Sequence, residues 1–463
     1  MELHLDRQGT VPLTAQIVSR IEQLIDAGRL RPGQRLPSIR KLAAHHGISY
    51  HTAVTAYEQL VASGRISAQQ GRGFFIDSHA QPRQPGMSSV ASESESGPLG
   101  SFWRLFHGSP ELMKLGCGWL PPAWRDTQVL ARVIRRTANF SKSALVEYGD
   151  PLGYLPLRQQ LCLHLQRKLS LILEPQQVLT TLGATHALDL LIRLLVAPGD
   201  HVLVDDPCNS NLVQLLKLRG AQVIGIPRRI DGPDLAVFAE TLAKLPVKAF
   251  FINSMLHNPT GSSISASNAF QLLRLAHLHD LTIVEDDVYA DFGNGHSNRL
   301  AMLDGLDRVI YVGSFSKTLS ASLRVGYVAG PARLIARLAD LKLLTMVAVP
   351  GFCERFVSII LGDGTYQRHL VTVQHKLRTH QAMALEAFRQ WGWEAFCEPQ
   401  GGMFVWVRHP QVANPEAFVQ EGVEKGIVLV PGSAFRADGQ PSPWFRINVA
   451  HFDATGASVL FKR

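Results

Sequence analysis

The chain has 463 residues, 46% of them hydrophobic and 18% charged, with a formal net charge of +8. That length predicts two or three domains rather than one small core. The absence of any run of roughly eighteen apolar residues argues against a membrane-spanning helix, and the polar start Met1-Glu2-Leu3-His4-Leu5-Asp6-Arg7 against a secretory leader.

Five cysteines (Cys117, Cys162, Cys208, Cys353, Cys397) lack C-x-x-C spacing. Free thiols in a reducing cytoplasm are expected, without a metal site. After Pro12, apolar residues Ile17, Ile21, Leu24 and Ile25 recur at helical spacing, and Gly28 ends the pattern. Ser38 is placed to cap a short helix, Ile39 to His46, that Gly47 breaks. Ser49 caps a third helix with Ala53, Val54, Tyr57, Leu60 and Val61 on its inner face. Two short strands, Arg65–Ala68 and Phe74–Ile76, flank Gly71-Arg72-Gly73. Helix, turn, helix and a glycine-tipped hairpin form a winged helix-turn-helix, over residues 1–76. Its third helix would offer Ser49, Tyr50, His51 and Thr52 to a major groove. Arg35, Arg40 and Arg72, with Ser38 and Gly73 beside them, are placed for phosphates or a minor groove. Charge supports this only modestly, with nine basic and six acidic residues through position 80. A docking or dimerisation module of three helices would fit the periodicity as well. The wording of the segment is more specific. Residues 28–43, GRLRPGQRLPSIRKLA, and 47–60, GISYHTAVTAYEQL, closely resemble the GntR family of bacterial regulators. Tyr50 stands where many members carry a basic or amide residue, so base preference does not transfer.

Residues 77–101 turn to Ser, Pro, Gly, Gln and Glu and read as a flexible linker. From 102 to 463, β-branched runs (201–205, 222–226, 249–252, 282–285, 308–312) alternate with amphipathic segments (186–195, 211–218, 266–279). That pattern is an α/β domain with a mostly parallel sheet, whose ligands bind beyond the strand C-termini.

The chemistry-bearing residues fall in such loops. Lys317 sits among Ser314, Ser316, Thr318 and Ser320, with Arg324 seven positions on. A lysine amine in a partly dry pocket loses its proton readily and condenses with an aldehyde. Hydroxyls and a guanidinium beside it clamp a phosphate. Gly183-Ala184-Thr185 before a helix offers backbone amides to the same group. Asn258-Pro259-Thr260-Gly261 follows one strand, and Asp286, with Tyr289 three residues later, closes the next. A carboxylate there can hold a protonated pyridine nitrogen. Singly, each fragment is more often a turn, a cap or a surface residue.

Their order resembles fold-type I pyridoxal phosphate enzymes, the aspartate aminotransferase superfamily, over roughly residues 110 to 450. The resemblance implies a seven-stranded, mostly parallel sheet and a smaller α+β C-terminal subdomain. It implies that Lys317 holds pyridoxal 5'-phosphate covalently and that Asp286 pairs with its ring nitrogen. Asn258 and Tyr289 would hold the phenolic oxygen. Gly183, Ala184, Thr185, Ser314, Ser316 and Arg324 would surround the phosphate, Tyr148 would reach a neighbouring subunit's phosphate, and Arg446 would clamp a substrate carboxylate. Three departures stand out. Asn209 replaces the usual stacking aromatic, Ser320-Ala321-Ser322 replaces Ala-Pro-Gly, and the tail Ala454-Thr455-Gly456-Ala457 is a poor helix former.

A GntR-like module joined to an aminotransferase-like domain resembles the MocR subfamily. This implies a cytoplasmic transcription regulator that binds operator DNA, a homodimer arranged head-to-tail with swapped domains, and an amino compound or B6 vitamer as effector. An active aminotransferase carrying a DNA-binding module, or one performing only a half-transamination, is the alternative.

Overall fold

The computed structural model describes the chain apart from residues 1, 2, 4, 8–10, 70, 78–99, 108–110, 139–145, 294–297 and 463. Two compact units emerge, Met1–Glu93 and Ser94–Arg463. Most of the sequence-predicted linker lies outside the described residues; its last two positions, Gly100 and Ser101, already belong to a helix, Gly100–His107.

In the first unit, α1 (Leu13–Asp26), α2 (Ile39–His46) and α3 (Tyr50–Ala62) precede a hairpin of β1 (Ile66–Gln69) and β2 (Gly73–Ile76). The caps are those the sequence predicts. Ser38 Oγ accepts the Lys41 amide at 3.3 Å and Ser49 Oγ accepts the Thr52 amide at 3.0 Å. The core joins Ile17, Ile21 and Ile25 to Ala53, Ala56, Tyr57 and Leu60. Val61, expected inside, is exposed, and Ala56 takes the inner position instead. The 3.6-residue period puts Ala56, Ala53 and Leu60 on one stripe and turns Val61 past its edge.

The second unit is built on an eight-stranded sheet in the order β3-β10-β9-β8-β7-β4-β5-β6. The strands are β3 (Val178–Thr181), β4 (His201–Asp206), β5 (Gln222–Arg229), β6 (Gly232–Pro233), β7 (Val247–Ile252), β8 (Thr282–Asp286), β9 (Val309–Ser314) and β10 (Gly326–Ala329). Strands β5, β4, β7, β8 and β9 run parallel. The antiparallel β10 lies between β3 and β9. The eighth member, beyond the seven expected, is the two-residue edge strand β6, antiparallel to β5. The central strands are buried and apolar, as a sheet covered on both faces requires.

The C-terminal part is a three-stranded antiparallel sheet of β11 (Glu394–Ala395), β12 (Phe404–Arg408) and β13 (Trp444–Asn448). Helix Thr365–Gln390 packs with this layer in a second apolar cluster. The tail corrects the sequence expectation, because Ala454–Phe461 is a helix. Asp453 accepts the Gly456 amide at 2.7 Å, and Ala457, Leu460 and Phe461 are buried. A cap and an apolar face outweigh the poor propensity of Thr455 and Gly456.

Candidate active site

Three parallel strands end at one edge, and each delivers part of the site. Asp286 is the last residue of β8 and Ser314 the last of β9, while Asn258 lies in the loop after β7. Asn253 ties two of these ends together. Its Nδ2 donates to the Asp286 carbonyl at 2.8 Å and its Oδ1 accepts the Asn258 amide at 2.7 Å.

The run Glu285-Asp286-Asp287 is divided by the alternation of a strand. Asp287 meets Arg299 at 2.8 Å and Lys168 at 3.1 Å, away from the cavity. Glu285 accepts the amides of Leu300 and Ala301. Asp286 alone lines the cavity, where its Oδ1 is buried without a hydrogen-bond partner. Burial, with the Asp287 charge adding to it, raises its pKa to about 7.

Lys317 follows β9 and donates from Nζ to the Gly118 carbonyl at 2.8 Å. Burial, with Arg446 nearby, lowers its pKa to about 8. The Arg446 guanidinium is buried between the rings of Phe404 and Phe435, at 4.7 and 4.6 Å. It donates to Asn258 Oδ1 at 2.8 Å and to the Gly116 carbonyl at 2.5 Å, and its Nε is buried without a partner. Gly118 is the residue that sequence reasoning missed. A Cβ there would stand 3.5 Å from Lys317 Nζ, 3.8 Å from the Tyr289 hydroxyl and 3.9 Å from Arg446 Nη2. The absent side chain keeps open the space among these three groups. Nothing in Cys117-Gly118-Trp119 by itself signals that role.

A second cluster forms the cradle. Arg324 donates to Ser316 Oγ at 3.3 Å and to the Leu182 carbonyl at 3.2 Å, at the start of helix Gly183–Leu195. That helix begins three residues earlier than the sequence predicts, so Gly183, Ala184 and Thr185 form its first turn, whose amides have no acceptor within the helix. Gly183 has φ +76°, and a Cβ on it would meet Arg324 Nη2 at 2.8 Å. Ala184, Thr185, Ser314, Ser316 and Arg324 line one cavity with Lys317, Asp286, Tyr289, Asn258 and Arg446. Tyr148 is not brought there and is 88% exposed.

Two of the departures acquire local causes. Asn209 lines the cavity but also caps helix Ser210–Leu218, its Oδ1 accepting the Asn211 amide at 3.2 Å. The hydroxyls of Ser320 and Ser322 bond each other at 2.9 Å, and Leu319 and Ser320 close back onto the Phe315 carbonyl.

These residues fit pyridoxal phosphate on their own geometry. Asp286 has an unpartnered buried oxygen for a ring nitrogen, Gly118 leaves room beside the amine, and a helix start with Arg324 suits a phosphate.

In the first unit, Arg40, Tyr50, His51 and Arg72 are exposed. Arg35 lies along the hairpin, its side chain beside Gly73. The hydroxyls of Ser38 and Ser49 are engaged as caps, and Thr52 Oγ1 pairs with Ser49 Oγ at 2.7 Å. Among the described residues no helix is long and apolar enough to cross a membrane.

Comparison with known proteins agrees with both halves. Residues 110–463 match the family "Aminotransferase class I and II", and residues 13–76 match "Bacterial regulatory proteins, gntR family". The HTH-type transcriptional regulator YdfD of Bacillus subtilis is 26% identical, over 92% of this chain and 90% of that one. The probable rhizopine catabolism regulatory protein MocR of Rhizobium meliloti is 25% identical, over 93% and 88%. The crystal structure of Pyrococcus horikoshii kynurenine aminotransferase, in complex with PMP, superposes with a TM-score of 0.74 at 25% identity, covering 81% of this chain and 95% of that one. The chain therefore belongs to the aminotransferase class I and II family and joins to it a gntR-family DNA-binding domain, the architecture of a MocR-type regulator.

Proposed function

We propose that the chain is a pyridoxal phosphate-dependent transcription regulator that senses an amino compound at Lys317. Once held there, the cofactor supplies an aldehyde that condenses with amines and a ring that withdraws electrons when its nitrogen is protonated. Lys317 is suited to the attachment, because an amine with a pKa near 8 keeps a useful neutral fraction at neutral pH. Asp286 holds the proton at the ring nitrogen. Asn258 and Tyr289 face the phenolic oxygen, and Arg324, Ser314, Ser316 and the amides of Gly183, Ala184 and Thr185 hold the phosphate. Arg446 binds the carboxylate of an amino acid effector as a bidentate fork.

The observation that carries this reading is the convergence of Lys317, Asp286 and Arg446 on one cavity, in a chain with a DNA-binding unit. Exposed Tyr148 supports a homodimer in which it completes a neighbour's phosphate site; head-to-tail exchange of the DNA-binding units is part of the same proposal, by likeness to MocR-type regulators. The protein acts in the cytoplasm on operator DNA, through Arg35, Arg40, Tyr50, His51 and Arg72. An effector shifts DNA affinity only by its differential affinity for the two arrangements. Asn209, in place of an aromatic, favours sensing over turnover, because nothing from that position stacks on a ring.

The test is the visible spectrum of the purified chain with a panel of amino compounds. A band that shifts with one compound and is lost in Lys317→Ala supports the reading. Steady keto-acid production would favour the aminotransferase alternative, and a DNA response to a vitamer alone would make the vitamer the effector.

A further inference from the structure

A second cleft lies across the lysine segment from the first, with a volume of about 460 Å³. Its walls come from residues 123–126, helix Thr127–Ala138, Leu319, Ile360 and the first half of helix Thr365–Gln390. Four cations line it: Arg125, Arg132, Arg368 and Lys376. One carboxylate among the described lining residues, Asp126, accepts the Val129 amide at 2.9 Å and offsets one of the four positive charges.

None of the four has a carboxylate partner among the described residues. Arg368 donates to the Thr365 hydroxyl at 3.0 Å and to the Asp363 carbonyl, while the Asp363 carboxylate is taken by Arg136. Lys376 sits 5.7 Å from the Trp124 ring centroid. Arg125 donates to the carbonyls of Leu319 and Leu120, at 2.8 and 2.9 Å, and its Nη2 is buried without a partner. Like charges gathered round a cleft focus a field that concentrates anions. Guanidinium forks match the paired oxygens of phosphates and carboxylates.

The cleft also holds the segment that carries the cofactor lysine. Arg125 binds the Leu319 carbonyl, and His369 Nε2 lies 2.8 Å from the Thr318 carbonyl. These are the two residues that follow Lys317. An anion drawing Arg125 toward itself would act on an anchor two residues from the amine.

We infer that this cleft is a second ligand site, for a small polyanion bearing phosphate or carboxylate groups, and that its occupancy is linked to the environment of Lys317. The linkage, though not the site, rests on the proposed attachment of the cofactor to Lys317.

The test is calorimetric titration of the full chain, loaded with pyridoxal phosphate so that the cradle at Arg324 is filled. Inorganic pyrophosphate and citrate are titrated separately, at fixed ionic strength. The expected result is saturable binding of at least one probe, one per chain, with the preferred probe identifying the ligand's charged group. Arg132→Glu and Lys376→Glu should each weaken binding at least tenfold and leave the visible band unchanged. No saturable binding of either probe, or binding that both variants retain, would overturn the site. Linkage is read from the pH at which the visible band changes form. A shift on saturation supports it; a midpoint that stays fixed while the anion binds would overturn it. Failure of the cofactor to produce any band would refute the attachment at Lys317, yet the effect of the two variants on anion binding would still decide the site.

Discussion

At the residue scale, the site sets solvation against charge. Lys317 is the clearest case. Its folded pKa, near 8, lies below the ordinary 10.5. Between those values the folded chain binds fewer protons than the unfolded one, so stability rises with pH through that window. Below pH 8 the cost is fully present. Lys317→Met should therefore stabilise the cofactor-free chain at pH 7, by on the order of 1–3 kcal/mol, and the gain should fade as pH approaches 10.5. Denaturation of both proteins across that range checks it; a gain that does not change with pH would contradict it. Asp286 has the opposite sign. Its folded pKa is raised from 3.8 to about 7, so the folded chain holds the extra proton, and stability is lost as pH rises between them. Asp286→Asn should flatten that part of the cofactor-free profile. It should also weaken cofactor binding, since an amide cannot carry the negative charge that pairs with a ring cation.

At the element scale, caps and close approaches decide what forms. Ser49→Ala removes the acceptor for the Thr52 amide at the start of α3. The expected loss is about 1 kcal/mol, seen as faster hydrogen exchange in residues 50–62. Gly183→Ala places a Cβ against Arg324 in a left-handed backbone conformation. It should weaken cofactor affinity at least tenfold while the chain remains folded, which a cofactor titration would measure. The caps Ser38 and Ser49 were legible in the sequence, because a capping hydroxyl acts within three residues of its own position. So was the order of Asn258, Asp286, Lys317 and Arg324, since parallel strands bring successive loops to one edge. Gly118 was not legible, because its role depends on Lys317, Tyr289 and Arg446, all distant in the chain. Strands β3 and β10 were not legible because Thr180-Thr181 in one, and Gly326 and Ala329 in the other, interrupt the bulky apolar run that marked the other strands. The final helix forms against its local propensity, because Asp453 caps it and Leu460 and Phe461 are buried, which the propensity of Thr455 and Gly456 does not reveal.

At the scale of the whole molecule, the chain couples a DNA-binding unit to a unit built for a small ligand. If Arg35, Arg40 and Arg72 meet phosphates as proposed, operator affinity should fall steeply with salt, and Arg72→Ala should lower the slope of log affinity against log salt by about 1. The central claim is that chemistry at Lys317 reaches the DNA. Its most direct test is operator affinity of the pyridoxal phosphate-loaded chain, at one salt concentration, with and without the amino compound that shifts its visible band. The account predicts a change in affinity that Lys317→Ala abolishes, while that variant still binds DNA. An unchanged affinity in the wild-type chain, or the same change in Lys317→Ala, would contradict it.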